Sequence, residues 1–237
     1  MTVSRQSFHL TGPSQTLDPR VNAVRGDLAD IALAGILFAP HYAAPVERRC
    51  AAAFAPMFDQ PNGVQTSELL QAELFQMFDI AGGWAWGFSA HDHYVGYVQA
   101  DALVADSALP TEPSAADPVS FAETFIGMTY HWGGRGGAGI DCSGLIQRAL
   151  AAAGIAAPRD SDMQQDALGT ALAEGETLKR GDLVFFPGHV GIMADASTLI
   201  HATRHHGKTL AEPLADVIAR IAIDHAVPVV ERKRIAR

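Results

Sequence analysis

Cysteine is scarce in this chain. Cys50 and Cys142 are the only two in 237 residues, and their unlike surroundings do not suggest a disulfide framework. A free thiol suits a reducing compartment. Positive charge is thin as well: 17 Lys and Arg face 26 Asp and Glu, a formal charge of −9, and no basic cluster exceeds the tail Glu231-Arg232-Lys233-Arg234. Nucleic acid and an anionic membrane are therefore not expected as partners. No apolar run is long enough to span a bilayer, and residues 1–13 lack the basic start, apolar core and cleavage site of a signal peptide. A cytoplasmic protein is expected. There is also no internal repeat. What remains is a globular composition, 48% hydrophobic and 18% charged, long enough for one large or two small domains.

The informative stretch is Gly139-Ile140-Asp141-Cys142-Ser143-Gly144-Leu145, where a cysteine stands between a glycine-rich loop and an apolar helix. Leu145, Ile146, Ala149, Leu150 and Ala153 share one 3.6-period face, and Gly154 supplies a left-handed stop. The unpaired N–H groups and positive dipole end of a first helical turn favour a thiolate, so Cys142 is a nucleophile candidate with a lowered pKa. Its plain alternative is a small buried apolar residue. Downstream, Gly181–Phe186 reads as a buried strand, Pro187-Gly188 as a turn and His189–Met193 as the next strand. A third strand, Thr198–Ala202, brings His201. Nucleophile, base and orienting group in that order follow the logic of catalytic triads on unrelated folds.

Together, Asp141-Cys142-Ser143-Gly144-Leu145, Gly181-Asp182-Leu183-Val184-Phe185-Phe186 with Gly188-His189-Val190-Gly191-Ile192, and Leu199-Ile200-His201-Ala202 resemble the NlpC family of papain-like cell-wall cysteine peptidases. The resemblance covers residues 117–237. It implies an α+β catalytic domain, with the nucleophile helix packed on an antiparallel sheet carrying the histidines. Tyr130-His131-Trp132-Gly133-Gly134 is similar to the family's loop ahead of the nucleophile, so Tyr130 inherits the oxyanion-hole role. Its plain reading is an aromatic plug against Trp132.

Asp106–Ser114, with two prolines, marks a boundary. Before it, Ile36-Leu37-Phe38, Ser67–Phe78, Trp84–Phe88 and Tyr94–Val98 read as short strands, with Ala81-Gly82-Gly83 and His91-Asp92-His93 as turns. Trp84–Val98 resembles a hairpin of the bacterial SH3-like β barrel. The expected organisation is an arm with one short helix over 1–33, an SH3-like barrel over 34–105, a linker over 106–116 and the peptidase domain over 117–237.

Peptidases that join these two domains form a γ-D-glutamyl-L-diamino-acid endopeptidase subgroup, in which the barrel restricts substrates to short murein-derived peptides with a free N-terminal L-alanine. The resemblance then implies cleavage after D-glutamate in L-Ala-γ-D-Glu-diaminopimelate during cell-wall recycling, without cofactor or metal. It makes Asp141, Ser143, Asp160 and Ser161 substrate-binding residues, and it asks the barrel for an exposed tyrosine, Tyr94, and a glutamate, Glu73 or Glu68. Each has a structural alternative. Asp141 could be a helix N-cap, Ser161 with Gln164 could be a capping box opening a helix at Asp162, Asp160 could be a helix-end charge and Tyr94 a strand aromatic. An acyltransferase or amidase, or an inactive peptide-binding module, stays open on the same motifs. A zinc site from Cys142, His189 and His201 matches no short zinc motif. Diamino-acid preference and oligomeric state are left open.

Overall fold

A computed structural model describes residues 17–105 and 117–235. The first part of the expected arm, 1–16, and the expected linker, 106–116, lie outside the described residues, as do 236–237. The chain opens with a short parallel pair, β1 (Leu28–Asp30) and β2 (His41–Ala43), separated by a 3-10 turn at Ile31–Leu33. Then come β3 (Val46–Cys50), β4 (Phe54–Phe58), β5 (Gln65–Leu70), β6 (Leu74–Ala81), β7 (Trp84–Ser89), β8 (Val95–Gln99) and β9 (Leu103–Val104), paired antiparallel in the order β5-β4-β8-β7-β6-β3-β9. Cys50, Met57, Leu69, Phe75, Ala85 and Val98, from six different strands, meet in one core, so this single sheet wraps on itself as a small barrel. Ala23 and Leu28 cover its outer aromatics Trp86 and Phe88.

The hairpin β7–β8 matches the expectation, with Gly82 and Gly83 in the preceding turn. Two expectations fail. Ile36–Phe38 is not a strand, because the Ile36 and Leu37 N–H groups both turn back to Leu33 O, at 3.0 and 3.3 Å. The continuous reading of Ser67–Phe78 is broken by a turn between β5 and β6. β3 and β4 escaped notice because Glu47-Arg48-Arg49 and Pro56 disguise them.

In the second half, α1 (Pro118–Glu123), α2 (Cys142–Ala152) and α3 (Ser161–Ala167) precede β10 (Thr170–Ala171), β11 (Leu183–Phe186), β12 (His189–Met193), β13 (Thr198–Thr203), β14 (Lys208–Pro213), α4 (Leu214–Ile221) and β15 (Glu231–Arg234). The sheet is antiparallel, in the order β10-β15-β11-β12-β13-β14. Alternation along its strands serves two layers. Leu183, Phe185, Val190, Ile192, Ile200 and Ala202 face α2 and its Leu145, Ile146, Ala149 and Leu150, whereas Val184, Phe186, Met193 and Leu199 pack on α4 around Val217. Each fully buried Leu or Ile contributes roughly 1.5–3 kcal/mol. The α+β architecture with the cysteine helix on an antiparallel sheet is therefore the one expected.

The halves meet through buried polar groups. Arg135, 2% exposed, pairs with Glu73 of the barrel at 2.6 Å, donates to Glu68 O at 2.8 Å and to Gln147 Oε1 at 2.5 Å. Glu68 Oε2 accepts from the N–H groups of Arg135 and Gly137, at 3.0 and 2.8 Å. Gln147 Nε2 donates to Asp92 Oδ2 at 2.7 Å. Stripping one partner from such a pair leaves a charge in the interior. Glu73→Ala should therefore lower unfolding stability by about 3–5 kcal/mol, whereas replacing both Glu73 and Arg135 with methionine should cost much less. Urea unfolding of the single and double variants checks this.

Candidate active site

α2 begins where its sequence demands. The Asp141 carboxylate caps it, accepting the Gly144 N–H at 2.7 Å. Residue 144 has to be glycine, since a Cβ there would stand 2.4 Å from Gly134 O. Asp141 also accepts the Gly133 N–H at 2.9 Å and both terminal nitrogens of Arg159, at 3.0 and 2.6 Å. Ser143 Oγ accepts from the same guanidinium at 3.0 Å. One carboxylate thus fixes the helix start, the preceding loop and the buried Arg159, so its capping role is real. Asp141 and Ser143 line the cleft as well.

Cys142 is the first residue of α2 and 6% exposed. The backbone N–H groups of Ser143 and Val190 point at its sulfur, which brings the sulfur to the start of β12, one residue from His189. The expectation of a ready thiolate is overturned. Burial, reinforced by the negative charge of Asp141, pushes the thiol up to about 12 and outweighs the backbone donors. His189 behaves in parallel: burial, with His201 and the Arg220 guanidinium acting in the same direction, brings its imidazole down to about 3. At neutral pH the pair is thiol and neutral imidazole. His189 Nε2 lies 2.7 Å from His201 Nδ1, and His201 Nε2 lies 2.8 Å from Glu212 Oε1. Tyr130 is half-buried, and burial, followed by the neighbouring Cys142 and Asp141, pushes its phenol up to about 12, so it keeps its proton as a donor. Its ring packs against the core around α2. The Arg204 guanidinium lies 6.0 Å over the Tyr130 ring and 5.7 Å over the Trp132 ring.

Cys142 opens on a cleft of about 320 Å³. Its far wall holds Tyr94 and Thr66 of the barrel, Asp160 and Ser161 at the start of α3, and Arg20 from the N-terminal segment. Asp160 makes no capping bond. Its Oδ2 instead accepts from Arg20 Nη1 at 2.8 Å and from the Tyr94 hydroxyl at 3.1 Å. Ser161 opens α3 as its first residue, so the capping-box reading fails, and Gln164 Nε2 bonds Ser143 O and Pro158 O instead. Tyr94 is buried, at 5%, where an exposed tyrosine was expected. Neither Glu73 nor Glu68 reaches the cleft, because both are spent on the seam with Arg135 and its loop. In their place stand Arg20, which also pairs with Asp18 and Asp162, and the Thr66 hydroxyl, buried and without a partner among the described residues. A larger cavity of about 650 Å³ lies away from this chemistry, beside Leu150, Arg180 and Arg234.

Arg20, Arg159 and Glu212 escaped the sequence reading. Arg159 had a signal, inside Pro158-Arg159-Asp160-Ser161. Glu212 had none, since only the β13–β14 pairing carries it to His201. Among the described residues no group of three or more His, Cys, Asp or Glu side chains is arranged to hold a metal ion.

A buried cysteine opening a helix lies against a strand headed by a hydrogen-bonded imidazole pair, the set of groups that nucleophilic thiol chemistry needs. Residues 127–220 match the NlpC/P60 family and residues 57–103 match the bacterial dipeptidyl-peptidase Sh3 domain. The chain carries an NlpC/P60 domain preceded by a bacterial SH3 domain. It is 36% identical over 104 residues to the γ-D-glutamyl-L-lysine dipeptidyl-peptidase of Bacillus cereus, covering 40% of this chain and 30% of that one. It is 31% identical over 114 residues to dipeptidyl-peptidase 6 of Lysinibacillus sphaericus, covering 46% and 41%. The Bacillus subtilis γ-D-glutamyl-L-lysine dipeptidyl-peptidase is 32% identical over 100 residues, covering 38% and 33%. The chain thus spans less than half the length of these curated relatives. A solved NlpC/P60 family structure from Bacillus cereus aligns over 82% of this chain and 64% of that one, at 21% identity and a TM-score of 0.45.

Two outcomes follow from the resting electrostatics. Alkylation of Cys142 by iodoacetamide should climb steadily from pH 7 to 10 without levelling, while Cys50, fully buried with its thiol pushed up to about 11 by burial, labels more slowly at every pH. Peptide mapping reads both sites, and a plateau for Cys142 below pH 8 would contradict the neutral thiol. For His189, the unfolded chain takes up a proton near 6.5 and the folded one only near 3, so stability is present above 6.5 and lost as pH falls through that window. Unfolding measured from pH 7 to 3 should show a shallower decline for His189→Asn than for the parent.

Proposed function

We propose that the protein is a γ-D-glutamyl-L-diamino-acid endopeptidase acting on short cell-wall peptides with a free N-terminal L-alanine. The observation that carries this reading is the single cleft lined both by Cys142 and by Asp160, which is held by Tyr94. The end distant from the sulfur is net negative. Asp18, Asp160 and Asp162 surround one guanidinium, Arg20, so a primary ammonium entering there meets uncompensated carboxylate charge. The barrel and the Arg20 segment wall off that end, which limits the chain extending beyond the amine. The names of the Bacillus relatives support a dipeptide-releasing cut.

The chemistry follows from the groups present. His189 takes the proton of the Cys142 thiol as the sulfur attacks the γ-carbonyl carbon of D-glutamate. Tyr130 and the backbone N–H of Cys142 itself donate to the developing oxyanion, each such donor being worth about 3 kcal/mol of barrier. As the C–N bond breaks, the proton passes from His189 to the leaving amine. Water then attacks the thioester, giving its proton to His189, and the carboxylate product departs as the sulfur recovers its hydrogen. A peptide made in the cytoplasm by wall turnover would suit this cleft, and we place the enzyme in murein peptide recycling.

The test is product analysis on L-Ala-γ-D-Glu-diaminopimelate and its N-acetyl form. The free tripeptide should yield L-Ala-γ-D-Glu and diaminopimelate, and acetylation should lower kcat/KM by roughly 100-fold or more, since it removes the charge and strands Asp160. Asp160→Asn and Tyr94→Phe should narrow that discrimination. Equal cleavage of both peptides would refute the amine-selective reading in favour of a less selective wall hydrolase, and amide exchange in place of hydrolysis would mark an acyltransferase.

A further inference from the structure

We propose that Glu212 is the positioning residue that sets the protonation pattern of the whole imidazole pair, making Nδ1 of His189 the basic nitrogen. The inference rests on the reading of His189 as base to Cys142, and it begins from the far end of the hydrogen-bond chain. Glu212 Oε1 accepts from Arg220 Nη2 at 2.5 Å, and Oε2 from Arg220 Nη1 at 3.2 Å. Burial alone would raise the carboxyl, but the Arg220 and His201 hydrogen bonds outweigh it and hold Glu212 below its ordinary value. An ionised carboxylate only accepts. The 2.8 Å contact to His201 therefore requires the hydrogen on His201 Nε2.

The rest is forced by the chemistry of a neutral imidazole, which has one donor and one acceptor nitrogen. His201 is 1% exposed, and burial lowers its pKa against the opposing pull of Glu212. With the hydrogen on Nε2, His201 Nδ1 is a lone pair. The 2.7 Å contact from His189 Nε2 to that lone pair then requires a hydrogen on His189 Nε2. What is left on His189 is the Nδ1 lone pair. A protonated His201 would reverse the chain, donating from Nδ1 and placing the hydrogen of His189 on Nδ1, where it abolishes the base. Arg220 on α4 opposes that state, and so does His206 of the β13–β14 turn, whose Nε2 lies 3.6 Å from Glu212 Oε2. His189 on β12 stands edge-on to the His201 ring, and His205, Asp224 and His225 line the same pocket as His201. Glu212 touches neither sulfur nor substrate, so it acts entirely through His201.

The experiment reads tautomers directly. Long-range proton–nitrogen spectra of protein labelled with nitrogen-15 histidine, at pH 7, should show both His189 and His201 protonated at Nε2. Glu212→Ala should mix the tautomers of both rings and lower kcat roughly tenfold or more with KM within about twofold. Glu212→Gln keeps an acceptor oxygen for His201 and should hold the parent tautomers and kcat within about threefold. A hydrogen on His189 Nδ1 in the parent protein overturns the proposal, and so do unchanged tautomers in Glu212→Ala. Should the Ala variant fail to fold, the parent spectrum still decides. Because the spectra need no substrate, they stand apart from the peptide assay: a protein that cleaves none of the offered peptides yet shows both Nε2 hydrogens refutes the substrate reading and not the role of Glu212.

Discussion

The Arg159–Asp141 ion pair is the contact on which the rest of the site depends. Its carboxylate ends the cysteine loop and starts the cysteine helix, and its guanidinium reaches Ser67 Oγ of the barrel at 3.1 Å. Arg159 is also the residue before Asp160, so the same pair sets where the distant end of the cleft begins. Buried ion pairs seldom add net stability, because desolvation offsets most of their attraction. Their effect here is geometric: one bidentate fork keeps nucleophile, loop and cleft wall in fixed relation.

The surroundings of Cys142 show how competing electrostatic effects are decided by burial. A helix N-terminus favours an anion by about 0.3–1 kcal/mol at an exposed site, whereas withdrawal from water can shift a buried group by several pKa units. Asp141, required for the cap, adds a like charge beside the sulfur. Burial thus works against charge on both the Cys142 thiol and the His189 imidazole.

The catalytic half was largely legible because its signals are local. The cap, the helical period, the stop at Gly154 and the two histidine strands are each written within a dozen residues, and each appears where it was read. The barrel half was legible only at the Trp84–Gln99 hairpin, since β3 carries three charges and β4 a proline. The errors at the cleft share one cause. Glu73, Glu68, Arg20 and Glu212 owe their positions to packing between segments far apart in the chain, and local pattern says nothing about which acid faces a cleft and which faces a seam. The pKa expectation failed for the same reason: helix position is visible in sequence, while the depth of burial is not.

The seam between barrel and peptidase also bears on how freely these parts could be exchanged. Gly137 approaches the barrel so closely that a Cβ would stand 2.3 Å from the Phe54 ring, and its N–H ends on Glu68. A foreign barrel grafted onto this peptidase would have to supply the same carboxylate at position 68, a partner for Arg135 and a hydroxyl for Arg159, all at matching depth. Without them the graft would bury unpaired guanidinium groups. The two domains are thus matched to each other along their shared face and not freely exchangeable.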